Sequence, residues 1–150
     1  STVIAFIGGL LYWWPKMTGK LYSEPLAKVG CLFTFVGFNV TFLSQFVLGS
    51  RGMPRRYYDY LPQFEELHRI STVGSWILAV GLFTTLWVLI DSLRKGPKAP
   101  PNPWGSAGFE WQSESPPVMQ NFRETPVITR GPYDYHLATD KELFDGFPSS

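Results

Sequence analysis

The chain has 150 residues, 45% of them hydrophobic, and 13 Lys and Arg stand against 12 Asp and Glu for a net charge of +1. So even a balance says little by itself, and no nucleic-acid partner is expected. The single cysteine, Cys31, excludes disulfide frameworks and cysteine-type zinc or iron-sulfur sites within the chain, and two distant histidines, His68 and His136, argue against a self-contained haem or copper site.

The apolar residues gather in three blocks before residue 93, and the remainder is polar and proline-rich. The first block, residues 1–14, reads "STVIAFIGGLLYWW" and is too short to cross a bilayer. It ends in Tyr12, Trp13, Trp14 and Pro15, as a helix does on reaching the aromatic belt of a membrane. It is read as the C-terminal half of a transmembrane helix, followed by an inner-side loop over 15–25.

Residues 26–48, "LAKVGCLFTFVGFNVTFLSQFVL", carry one charge, Lys28, near one end. At 1.5 Å per residue this stretch matches the thickness of bilayer hydrocarbon. Gly30, Thr34, Gly37, Thr41, Ser44 and Gln45 recur at helical spacing on one face, while Leu32, Phe35, Phe42 and Phe46 fall largely elsewhere. One side is expected to pack on protein and the other to face lipid, with Cys31 a small packing residue. Residues 70–93 form the second full span, uncharged from Ile70 to Ile90, with a weaker small-residue pattern at Ser71, Gly74, Ser75, Gly81 and Thr85.

Lys16, Lys20 and Lys28 near one end, and Arg94, Lys95 and Lys98 at the other, place both ends on the cytoplasmic or matrix side. The loop 49–69 then lies outside, although it holds Arg51, Arg55, Arg56 and Arg69 against only Asp59, Glu65 and Glu66. An excess of cations against the positive-inside tendency calls for an anion. The tail, 94–150, has prolines too frequent for helix or central strand. Its Trp104, Phe109, Trp111, Phe122, Tyr133 and Tyr135 argue for docking along a partner surface on the inner side rather than disorder. A short helical turn from Thr139 is expected near the end. The fold class is therefore an all-α membrane protein: the end of one transmembrane helix and two full ones from a larger bundle, with an extended Pro-rich tail.

Three separated strings, "STVIAFIGGLLYWWPKMTGKLY", "FVGFNVTFLSQFVLGSRGMPRRYYDY" and "NPWGSAGFEWQSESPPVMQNF", closely resemble the C-terminal part of subunit I of haem-copper oxidases of the cytochrome c oxidase type. The G-M-P-R-R-Y, G-F-N-x-T-F and E-W-x-x-x-S-P-P elements carry the resemblance over about residues 1–130. It implies a catalytic subunit that reduces O2 to water with proton pumping, with two haems, a-type, and copper as cofactors. The resemblance also implies that their ligands lie outside this chain, in an H-x-H element upstream of Ser1 and further upstream still. This chain is then a fragment that is not catalytic alone, its partners the remainder of subunit I, oxidase subunits II and III and the lipid bilayer.

The resemblance implies further that Arg55 and Arg56 reach the haem propionates, with Tyr57 and Asp59 supporting them. A guanidinium fork gives a carboxylate two parallel charge-assisted hydrogen bonds, so the residue type suits the role. The sequence departs from some members at Gly30 or Cys31, where they have histidine, and at Ser44, where they have proline. His68 is read as capping or flanking its helix and His136 as solvent-exposed. The location implied is a bacterial cytoplasmic membrane, with a mitochondrial inner membrane as the alternative. Two other readings remain: a quinol oxidase of the same superfamily, and a non-catalytic two-span scaffold or assembly protein.

Overall fold

The computed structural model describes residues 2–123, 125–127, 131 and 133–138. Among them the regular structure is helical: α1 (Thr2–Thr18), α2 (Glu24–Ser50) and α3 (Glu65–Lys95), with single 3-10 turns elsewhere and one isolated antiparallel bridge between Lys20 and Lys98. The turn expected from Thr139 lies outside the described residues. α2 and α3 are long and apolar enough to cross a membrane. The chain is a fragment of a transmembrane helical bundle, and it divides into two units, residues 23–90 and residues 1–22 with 91–150.

In the first of these, α2 and α3 pack as an antiparallel pair whose register is set by small residues. A Cβ added to Gly30 would meet Thr85, one on Gly81 would strike Thr34, one on Gly74 would strike Thr41, and one on Gly37 would collide with the backbone of Leu78. Each glycine thus admits a threonine or the facing backbone, which is how helices approach closely where lipid supplies no hydrophobic drive. The pairing runs on through the Gln45 amide, which donates to Ser71 Oγ at 2.9 Å. The hydroxyls of Thr34 and Thr41 are buried without a partner, so at this seam they act as shape rather than as donors.

The small-residue face of α2 is buried at Gly30, Thr34, Gly37 and Ser44, while Phe35 and Phe46 are 62% and 74% exposed. Two expectations fail. Cys31 is exposed rather than packed, because it sits one residue, about 100° of helix, beyond buried Gly30. Ser75 is exposed for the same reason beside buried Gly74.

Both helices exceed their apolar stretches. α2 begins with Pro25 in its first turn and a Glu24–Lys28 ion pair at 2.8 Å. α3 begins at Glu65, where the polar turn Glu65–Arg69 extends it, with Arg69 paired to Glu65 at 2.6 Å. Acidic residues in the first turn and Arg94 and Lys95 in the last suit the helix dipole.

In the other unit, α1 does not stop at Pro15 but continues to Thr18. Proline removes one donor from the ladder, yet the Pro15 carbonyl still accepts from Gly19 N at 2.9 Å. Gly19, at φ 68°, closes the helix in the left-handed conformation that glycine adopts freely. The tail then docks on the end of α1. Gly19 O accepts from Ala99 N at 2.8 Å and Leu21 N donates to Pro97 O at 2.9 Å, while Ser92 Oγ accepts from Trp14 Nε1 at 2.9 Å and donates to Leu21 O at 3.0 Å.

The centre of this docking is Trp111, 1% exposed, edge-on to Tyr12 with centroids 5.1 Å apart. Trp104, 38% exposed, lies parallel to the Tyr12 ring and donates to Tyr12 O at 2.9 Å. Buried Lys16 donates to the carbonyls of Pro101, Ser113 and Glu114 at 2.9, 2.6 and 3.3 Å. Three carbonyls match the three donors of an ammonium, and the Trp111 face lies 5.3 Å away. Burial pushes Lys16 below the ordinary lysine range, and the Glu110 carboxylate pulls the other way. The tail expected on a partner surface is therefore held, over residues 97–114, by its own chain.

Candidate functional site

The loop between α2 and α3 begins with a helix stop that its sequence specifies. Gly52 has φ 81°, its N–H bonds Gly49 O at 3.1 Å, and Met53 N bonds Leu48 O at 3.2 Å. These are the paired bonds of a Schellman C-cap, in which glycine is the residue most often found at this position. Pro54 then prevents the helix from resuming, and the chain leaves α2 for the arginine pair.

Arg55 and Arg56 are both exposed, and among the described residues neither forms a salt bridge or side-chain hydrogen bond. Two of the loop's three acidic residues bond elsewhere. Glu65 pairs with Arg69, and Asp59 Oδ1 accepts from Tyr60 N at 2.8 Å. Arg56 also adopts φ 57°, a left-handed conformation that costs a non-glycine residue about 1 kcal/mol. Backbone strain of this kind collects at functional sites.

The residues flanking the pair join a cluster that the sequence did not reveal. His68, 9% exposed in the first turns of α3, meets Met53 Sδ through Nε2 at 3.1 Å. Its ring lies 4.2 Å from that of Tyr60 and 5.5 Å from that of Tyr57, and the two tyrosines meet edge-on at 5.9 Å. Of the supporting residues, Tyr57 joins this ring cluster and Asp59 accepts from the N–H of Tyr60 without pairing to either arginine. No motif spacing links Met53 to His68; only an aromatic-rich loop before a helix hinted at packing. A recess of about 190 Å³ opens beside them, lined by Arg51, Met53, Tyr57, Asp59 and Tyr60 among others.

Residues 1–77 match the family described as cytochrome c and quinol oxidase polypeptide I. The chain belongs to that family. It is 41% identical over 145 residues to cytochrome c oxidase subunit 1 of Synechocystis sp., covering 97% of this chain and 26% of the relative. It is 42% identical to heme-copper oxidase subunit I+III of Aeropyrum pernix, over 87% of this chain and 16% of that protein. With cytochrome c oxidase subunit 1 of Bacillus sp. (strain PS3) the identity is 40%, over 85% of this chain and 21% of the relative. The chain thus spans about a quarter or less of these relatives' lengths.

Haem and copper are the cofactors that the family implies. Among the described residues no three His, Cys, Asp or Glu side chains converge as a metal ligand set, so the residues present do not fit the metals themselves. Arg55 and Arg56 are permanent cations with no acidic partner among the described residues, a chemistry that suits carboxylates.

Proposed function

We propose that this chain is the C-terminal part of subunit I of a cytochrome c oxidase and that Arg55 and Arg56 neutralise haem propionates at its outer face. The complete oxidase reduces O2 to water and moves protons across the membrane. Haem, when bound, supplies the redox chemistry. The chain's own part is electrostatic and structural: α2 and α3 pack in the bundle, and the two guanidiniums hold anions at the edge of a low-dielectric interior.

The observation that carries this reading is the pair's isolation. Two exposed arginines follow one another in sequence, one on a strained backbone, while Asp59 and Glu65 bond elsewhere. Guanidinium cannot shed its proton to escape the repulsion, so the pair is stable only in water or against an anion. The lysine and arginine distribution at the span ends supports an outer-side loop and an inner-side tail. A cation beside a propionate keeps it ionised and makes electron acceptance easier, so the pair also tunes the redox poise.

The test is redox titration of the assembled oxidase carrying Arg55→Gln or Arg56→Gln, with Arg51→Gln as a control outside the pair. Losing a cation favours oxidised haem, so the midpoint potential falls in both variants and holds in the control. All three matching the parent would reject the clamp. Two of the three relatives named above are cytochrome c oxidase subunits, which favours that donor over a quinol.

A further inference from the structure

We propose that His68 is the positioning residue of the arginine pair: one imidazole, carried on a helix, pins both ends of the turn that presents Arg55 and Arg56. This inference rests on the reading of the pair as a propionate clamp. The turn is short. Only Pro54, Arg55 and Arg56 lie between Met53 and Tyr57, and both flanking residues touch His68.

On the leading side, Nε2 and Met53 Sδ lie 3.1 Å apart. The thioether offers only lone pairs, so this approach places the hydrogen on Nε2, with the imidazole donating. On the trailing side Tyr57 packs at 5.5 Å, and Tyr60 covers the ring at 4.2 Å with planes tilted by 33°. Tyr57 and Tyr60 also brace each other edge-on, a favourable arrangement for aromatic rings.

The pin itself is well anchored. His68 is nearly buried, it belongs to α3, and its backbone carbonyl accepts from Thr72 Oγ1 at 2.9 Å. The arginines have no such support, being exposed and without side-chain partners in the described chain. Their placement comes from the backbone, and the backbone comes from the two attachments at 53 and 57. With Arg56 already in a left-handed conformation, few other ways remain to connect those points. A guanidinium fork loses its bidentate geometry on a displacement of about 1 Å, so a pin of this kind bears on the charge as well as the fold.

The experiment uses the purified, haem-loaded oxidase with His68→Ala, His68→Phe and Met53→Leu, beside Arg55→Gln. Two readouts are needed: amide hydrogen exchange over 53–60 and the haem midpoint potential. His68→Ala is expected to speed exchange in that stretch roughly tenfold and to lower the potential in the same direction as Arg55→Gln, by less. His68→Phe keeps the ring contacts and should restore part of both, while Met53→Leu loosens the leading side alone. These last two carry the test if His68→Ala fails to assemble.

Unchanged exchange in the His68 variants overturns the inference. So does faster exchange at an unaltered potential, provided that Arg55→Gln does move the potential, because the histidine would then order the loop without placing the cations. If Arg55→Gln itself leaves the potential unchanged, the clamp reading falls, and with it the role assigned to His68.

Discussion

Lys16 Nζ donates to the carbonyl of Ser113 at 2.6 Å, across 97 residues of sequence. With the carbonyls of Pro101 and Glu114 it completes a cage that holds the tail on the end of α1. Lys16→Met keeps most of the side-chain volume and removes every donor, stranding the three carbonyls. The expected cost is about 1 to 3 kcal/mol, that of leaving buried acceptors unsatisfied. Hydrogen exchange of residues 99–115 in the assembled protein should accelerate accordingly, while haem absorption stays at its parental value. Equal protection in parent and variant would mean that Trp111, Trp104 and the backbone bonds at Pro97 and Ala99 hold the tail without Lys16.

The same lysine gives the docked tail an alkaline pH dependence. Burial holds its folded pKa below the ordinary lysine value, the larger effect, and Glu110 opposes it. In the window between the folded and unfolded values the unfolded chain binds more protons, so stability rises with pH there and is flat below it. The stability difference between parent and Lys16→Met, followed by tryptophan fluorescence in denaturant, should therefore shift in favour of the parent as pH climbs towards the ordinary lysine range. Glu110→Gln removes the opposing carboxylate and should extend the window to lower pH. A difference independent of pH would contradict the burial of a charged amine.

Two glycines of α2 should respond to alanine with opposite signs. A methyl group on Gly37 would run into the Leu78 backbone, which cannot move without separating the helices. Gly37→Ala should cost about 1 to 3 kcal/mol by overpacking. Gly49 faces open space, and Gly49→Ala should stabilise the helix by up to about 1 kcal/mol. Thr34→Val at the same seam should be neutral or slightly stabilising, because the hydroxyl it replaces is buried without a partner. Thermal unfolding in detergent, read by circular dichroism, ranks the three variants.

What could be read from the sequence was what depends on local periodicity. The small-residue face of α2 shows at Gly30, Thr34 and Gly37 because residues three or four apart share a helix face. The outliers are neighbours of true seam positions: Cys31 beside Gly30 and Ser75 beside Gly74 differ by one residue, which small size alone cannot distinguish. Pro15 looked like a stop, but the helix closes only at Gly19, where the backbone turns left-handed. Lys16 read as a topology charge. Its cage joins residues on far parts of the chain, and no local pattern announces such a contact. The same is true of His68, whose place beside Met53 depends on how the loop folds back.

Arg56 separates backbone from charge, and its substitution to glycine tests the clamp more closely than glutamine can. At φ 57° the arginine bears a conformational cost of about 1 kcal/mol that glycine does not. Arg56→Gly should therefore keep the turn, relieve the strain and delete only the guanidinium. If the cation is what matters, Arg56→Gly and Arg56→Gln lower the haem midpoint potential by the same amount, although their loops differ in stability. Arg56→Lys should fall between them and the parent, since an ammonium retains the charge without the planar fork. Were Arg56→Gly to keep the parental potential while Arg56→Gln lost it, the backbone conformation and not the guanidinium would be the functional element, and the effect of glutamine would be that of a misplaced turn.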